Sequence, residues 1–251
     1  MPTEHSTGPS FSPDAAPPNS LVTDQAAAQA ARTRHEHFKH TARAHFDRWA
    51  LSYDRSWLGE LVFYPSMRAC HEEILRWQAE RGRAPYRLLD VGCGTGNLLL
   101  SLVDDPHAEQ LVGLDYSEEM VRCVQMKIDP EIHLDRLRVV HGDAEHLPFE
   151  DASFDVLTCA NSFHHYPHQE AVIRQFYRVL RPGGMLVLID GFRDNVVGWI
   201  VFDVAVAFVE KAVHHAAWSA VRNMLAEAGF STITQRKLNV LAPLLVSVAK
   251  K

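Results

Sequence analysis

The chain has 251 residues, 47% of them hydrophobic, a globular composition with room for one domain and additions at its ends. Its 25 Lys and Arg against 31 Asp and Glu give a formal net charge of −6, so it lacks the positive field that drives binding to a phosphate backbone, and nucleic acid is not an expected partner. The four cysteines, Cys70, Cys93, Cys123 and Cys159, show no Cys-x-x-Cys spacing, which argues against a disulfide scaffold or a zinc ribbon and for a reducing, cytoplasmic location.

Residues 1–20 have no apolar run behind a basic start, so no signal peptide is expected. The longest apolar stretch, 196–209, is broken by Asp203 and falls short of the ~20 residues that a membrane-spanning helix needs. The first 23 residues hold five of the 13 prolines and, in Phe11, one large apolar side chain before Leu21. Such a segment buries too little surface to offset its chain entropy and is read as a disordered tail. Residues 24–84 are helical in pattern and form a predicted N-terminal cap. Phe38, Ala42, Phe46 and Trp49 make one apolar stripe, and Pro65 suits the first turn of a helix whose inner face carries Met67, Cys70, Ile74 and Trp77. His37 and His40 are three apart but have no third ligand nearby, so they are read as a solvated helix face, and no metal site is predicted.

Residues 85–251 change character. Short apolar runs at 87–91, 110–114, 137–140, 154–159 and 184–189 alternate with amphipathic stretches such as 117–127 and 168–180. That alternation predicts an α/β fold, a mostly parallel Rossmann-like sheet with helices on both faces. Near the end, 224–230 reads as a helix closed by Gly229, and the runs 232–240 and 244–249 are spaced for a hairpin that completes a seven-stranded sheet. Ligands of such sheets bind beyond the carboxyl ends of the strands.

The first of those ends is Leu89-Asp90-Val91-Gly92-Cys93-Gly94-Thr95-Gly96-Asn97, a buried strand, a glycine turn and a helix start. Alternating glycines let the backbone approach a ligand closely, and the helix start offers free N–H groups. The spacing departs from the dinucleotide fingerprint, because Gly96 comes two residues after Gly94 rather than three. Asp90 before the turn would repel a pyrophosphate and attract a cation. Asp115 ends the second run, 19 residues after Gly96, where a carboxylate can accept from the two hydroxyls of a ribose. Asp143 follows the third run, in Gly142-Asp143-Ala144, where it can accept from an adenine amino group. Taken singly, each Asp reads as a cap or turn residue. Three acids in register with three strand ends describe a pocket for S-adenosylmethionine.

With these residues the chain resembles class I S-adenosylmethionine-dependent methyltransferases, specifically the small-molecule group that includes the ubiquinone and menaquinone biosynthesis C-methyltransferases. The resemblance is carried by 90–96, by Gly113-Leu114-Asp115-Tyr116-Ser117, by Gly142-Asp143-Ala144, by Phe154-Asp155-Val156-Leu157 with Asn161, and by 178–184; Phe46-Asp47-Arg48-Trp49-Ala50 with Tyr53-Asp54 is similar to that group's N-terminal element. It implies S-adenosylmethionine as cofactor, with its methionine end on the backbone of Gly92, Cys93, Gly94 and Gly96. Asp90 faces the cationic end, Asp115 takes the ribose, and Tyr116 packs on the adenine. Asp143 and Ala144 hold the adenine edge, Asn161 lies beneath the sulfonium, and Tyr53 closes over the cofactor. Where the quinone enzymes carry an Arg-Asn pair after the fourth strand, this chain reads Asn161-Ser162-Phe163-His164-His165-Tyr166. The implied activity is methyl transfer by in-line displacement to a small, lipophilic or aromatic acceptor.

His164 and His165 fall at the expected acceptor mouth and are the candidate catalytic bases, with packing of that mouth as the alternative. The segment 194–216 is too apolar for a free loop. It reads equally as core packing, as a homodimer seam, or as a lid over a lipophilic acceptor with transient membrane-surface contact. Two other functions share part of the pattern, a non-catalytic S-adenosylmethionine-binding regulator and a nicotinamide-dependent oxidoreductase. The glycine spacing and Asp143 argue against the second.

Overall fold

The computed structural model of the chain describes Gln29, Thr33 and residues 63–129, 136–191, 216–239 and 243–251, with backbone alone for Asn239 and Pro243. The expected tail, the cap before Phe63 (Gln29 and Thr33 excepted, both helical and exposed) with Tyr53 and the 38–49 stripe, and the apolar insert up to residue 215 lie outside the described residues.

Helix α1 spans Tyr64–Glu80 and starts with Pro65 where its missing N–H is harmless. Cys70, Ile74 and Trp77 recur at helical spacing and are buried. Strand β1, Tyr86–Val91, leads into the glycine turn and the short helix α2, Asn97–Leu102. Strand β2, Ala108–Asp115, is followed by α3, Glu118–Lys127. Ser117 caps α3 by accepting from the Met120 N–H at 3.1 Å, with Glu118 and Glu119 in the first turn and Lys127 in the last, all matched to the helix dipole. Strand β3 is Leu137–His141, β4 is Phe154–Ala160, α4 is Gln169–Val179 and β5 is Leu180–Gly191. Helix α5, Trp218–Glu227, precedes the hairpin of β6, Ser231–Asn239, and β7, Pro243–Lys250.

The seven strands lie in the order β3-β2-β1-β4-β5-β7-β6, all parallel except β7. Alternate residues of each central strand feed different cores. Leu88, Leu111, Val156 and Val187 join one with Ile74, Trp77 and Leu99, whereas Leu89, Val112, Leu157 and Leu188 join the other with Val172, Phe176 and Leu225. A sheet buried on both faces is the architecture the alternating runs predict. Strand β5 starts four residues earlier than its apolar run, because Leu180 pairs with Phe154 before an irregularity at Arg181-Pro182-Gly183 restores register at Met185. Strand order reverses between β1 and β4, so the cleft for a ligand belongs over the carboxyl ends of those two strands.

Candidate active site

A cleft open to solvent lies there. Its walls come from the β1 end and glycine turn (Asp90, Gly92, Cys93, Gly94, Thr95), from the β4 end (Ala160, Asn161) and from the first turn of α1, including Ser66 and Met67. Of the expected site residues, Asp90, Gly92, Cys93, Gly94 and Asn161 therefore share one cleft.

Asp90 is 4% exposed, and its Oδ1 accepts from the Thr158 hydroxyl at 2.7 Å across the β1–β4 pair. Burial pushes its carboxyl up to about 7, with Thr158 opposing the rise and the nearby Asp115 adding to it. A buried acid facing a cleft calls for a cation, whose charge would draw it back to the carboxylate. A group bearing a sulfonium and an ammonium fits that demand.

Gly92 has φ 71°, and a Cβ there would run into Ser162, whose hydroxyl donates to the Val91 carbonyl at 3.2 Å and lies 3.2 Å from the Tyr166 hydroxyl. Gly94, at φ 53°, differs: a Cβ there would meet nothing within 4 Å, so the space beside it is open. Gly96 caps α2 in the left-handed conformation and packs against Val124. It shapes the turn rather than lining the cleft. Burial pushes the Cys93 thiol up, so it stays protonated at neutral pH and offers no thiolate chemistry.

Asp115 ends β2 with both carboxylate oxygens engaged, Oδ2 by the Gly94 N–H at 2.8 Å and Oδ1 by the Ser117 N–H at 2.9 Å. Each oxygen has a second lone pair for a hydroxyl donor. The Tyr116 carbonyl accepts from His141 Nε2 at 3.1 Å, and the two rings lie 6.2 Å apart. The register places His141 opposite Asp115, and Gly142 N–H donates to the Asp115 carbonyl at 3.0 Å. Asp143 then caps the 3₁₀ turn Ala144–His146 by accepting from the Glu145 N–H at 2.9 Å. Asp115, Tyr116, Asp143 and buried Ala144 thus stand at the ends of the neighbouring strands β2 and β3, and none of the four is in the cleft wall.

Asn161 adopts φ 57°, a conformation Asn tolerates better than most residues, held by its N–H donating to the Ile189 carbonyl at 2.8 Å. Its Oδ1 accepts from the Ser66 hydroxyl at 3.3 Å, which joins α1 to the β4 end. His164 and His165 sit in the next turn, Phe163–His165, with ring centroids 3.9 Å apart. They follow the cleft residues in the chain but do not line the cleft wall. His164 is 8% exposed, with Nδ1 2.6 Å from Asp190 Oδ1.

Thr158, Ser66 and Asp190 escaped sequence reading. The first and last had a signal, a polar residue in or closing an otherwise apolar strand; Ser66 had none, its partner lying 95 residues away.

Comparison with known proteins points to the same chemistry. Residues 89–188 match the family described as methyltransferase domain, and the matches support S-adenosylmethionine-dependent methyl transfer, with S-adenosylmethionine as the cofactor, in a chain that resembles class I methyltransferases. It resembles the quinone C-methyltransferases. Demethylmenaquinone methyltransferase of Listeria welshimeri is 29% identical over 75% of this chain and 86% of its own length. The protein of that name from Lactiplantibacillus plantarum is 26% identical over 80% and 92%. A solved S-adenosylmethionine-dependent methyltransferase from Thermotoga maritima superposes with a TM-score of 0.59 at 20% identity, over 83% of this chain and 99% of its own, which establishes the fold. No helix among the described residues is long and apolar enough to cross a membrane.

Proposed function

We propose that the chain methylates a lipophilic hydroxyaromatic acceptor of the reduced-quinone kind, at the cytoplasmic face of a membrane. The observation that carries this reading is the alignment over most of the length of demethylmenaquinone methyltransferases, together with a cleft whose buried Asp90 suits a cation. The apolar composition of 194–216 supports a lipophilic acceptor, and the cofactor domain spans 85–251.

When bound, S-adenosylmethionine supplies a methyl group already activated on sulfur. The chain's own residues then have to align and to exclude water, and alignment alone is worth about 7–11 kcal/mol of barrier. Gly92, Cys93 and Gly94 hold the methionine end, with Asp90 matching its positive charge. Asp115 accepts from the ribose, Tyr116 packs on the base, and Asp143 and Ala144 fix its edge, while Tyr53 closes the site. Asn161, tied to Ser66, holds the floor beneath the reacting carbon. A phenolic acceptor becomes a better nucleophile on losing its proton, and His164 and His165, which follow Asn161 in the chain, are the candidate bases.

The test is incubation with methyl-labelled S-adenosylmethionine and short-chain demethylmenaquinol in phosphatidylcholine vesicles. Label in the lipid fraction is expected. Label found only in polar metabolites of an added cell extract would overturn the acceptor assignment.

A further inference from the structure

The peptide unit that links Tyr116 to Ser117 lies just past the last residue of β2 and is held at both ends by side chains. Its N–H donates to Asp115 Oδ1 at 2.9 Å, and its carbonyl oxygen lies 3.1 Å from His141 Nε2. A carbonyl only accepts, so Nε2 carries a proton and donates. The strand register explains how the ring reaches that oxygen. His141 ends β3 opposite Asp115, and the Gly142 N–H donates to the Asp115 carbonyl at 3.0 Å. The imidazole continues the β2–β3 pairing one residue past the strands. Its ring neighbours that of Tyr116, with 6.2 Å between centroids and 31° between planes. Rotation of the peptide plane would break both bonds, so the Tyr116 backbone keeps a set place relative to the Asp115 carboxylate. His141 is exposed, and water would satisfy the same carbonyl there. What the ring contributes is orientation.

We propose that His141 is a positioning residue for the cofactor's nucleoside, holding the Tyr116 carbonyl so that the Tyr116 ring meets the adenine while Asp115 holds the ribose. The inference rests on the preceding reading, in which Asp115 takes the ribose and Tyr116 packs on the base, and adds a residue that acts through Tyr116. Base and ribose are joined by a single bond, so their two partners must keep a set spacing. A turn that rocks would have to be ordered on binding, at a cost in affinity.

The experiment measures S-adenosylhomocysteine affinity by calorimetry, and thermal unfolding, for the wild type, His141→Leu, His141→Gln, Tyr116→Leu and the double variant His141→Leu with Tyr116→Leu. Leucine cannot donate, and His141→Leu is expected to lose about tenfold in affinity. Its melting temperature should stay within about 2 °C of wild type. A glutamine amide nitrogen reaches about as far as Nε2 and carries no charge. His141→Gln should therefore stay within about twofold of wild type, which assigns the effect to the bond. Tyr116→Leu should lose about tenfold or more. Adding His141→Leu to it should cost less than about twofold further, because the ring that His141 positions is gone. His141→Leu within about twofold of wild type, an equal loss in His141→Gln, or a double variant that loses the product of the single losses would overturn the proposal. If His141→Leu does not fold, His141→Asn, whose amide falls short of the carbonyl, takes its place. A wild type that binds no S-adenosylhomocysteine, or a Tyr116→Leu that binds as well as wild type, would overturn the nucleoside reading along with the inference. A weakened Tyr116→Leu beside an unaffected His141→Leu would overturn the inference alone.

Discussion

The Asp115 carboxylate accepts from the Gly94 backbone N–H at 2.8 Å and so ties the end of one strand to the glycine turn that follows its neighbour. The same side chain takes the Ser117 N–H and seats the start of α3. One acid thus shapes the turn and, in the proposed site, meets the ribose. Asp115→Ala leaves two backbone donors without their partner, each worth about 1–3 kcal/mol. S-adenosylhomocysteine affinity, followed by calorimetry, should fall at least tenfold, with Asp115→Asn intermediate because one oxygen remains. Unchanged affinity in Asp115→Ala would show that the turn keeps its shape unaided.

The glycines separate by what surrounds them. Gly92→Ala forces a left-handed φ on a residue with a side chain and drives its Cβ into Ser162, so the melting temperature should drop and binding vanish. Gly94→Ala carries the backbone cost of about 1–2 kcal/mol but its Cβ meets open space. It should fold with a modest loss of melting temperature and lose cofactor affinity disproportionately. Thermal unfolding and calorimetry on the two variants check the contrast.

Asp90 sets a pH dependence. Burial raises its carboxyl to about 7 in the folded chain, against roughly 4 when unfolded, so its contribution to stability is present at low pH and is lost as pH rises through 7. Asp115 is shifted in the same direction, also by burial. A cationic ligand favours the ionised form. The affinity for S-adenosylhomocysteine, whose amino-acid end carries the ammonium, should rise with pH by about tenfold per unit at most below 7 and level off above it. Asp90→Asn should flatten that dependence. An affinity that is already flat across this range in the wild type would refute the charge match.

Helix α1, which supplies one wall of the cleft, is fastened to the far edge of the sheet. Glu73 Oε1 accepts from Arg236 Nη2 at 3.0 Å and from Arg76 Nη1 at 2.7 Å. Arg236 is 39% exposed and Glu73 10%, so the bridge is partly screened. Arg236→Gln should cost about 1 kcal/mol, a fall in melting temperature of roughly 2–4 °C, without altering turnover at 25 °C. A larger fall would mark α1 as dependent on this bridge.

Much of this arrangement was legible in the residues. Buried strands that alternate with amphipathic helices leave a periodic trace, so β1 to β4 begin and end within two residues of the apolar runs. The glycine turn with Asp90, Asp115 and Asp143 was legible because each acid stands at or just beside the carboxyl end of an apolar run. Contacts distant in sequence left no such trace. The Ser66–Asn161 bond joins residues 95 apart, and Thr158 and Asp190 matter through Asp90 and His164, partners that no local pattern names. The start of β5 was also hidden, because Pro182, Gly183 and Gly184 read as a break although Leu180 already pairs with Phe154.

A structure determined with S-adenosylhomocysteine bound is the most direct test of the proposed site. The account predicts the amino-acid end against Gly92, Cys93 and Gly94, the ribose hydroxyls within 3.2 Å of the Asp115 carboxylate, and the base between Tyr116 and Asp143. Electron density for the nucleoside elsewhere, with Asp115 contacting only Gly94 and Ser117, would contradict it.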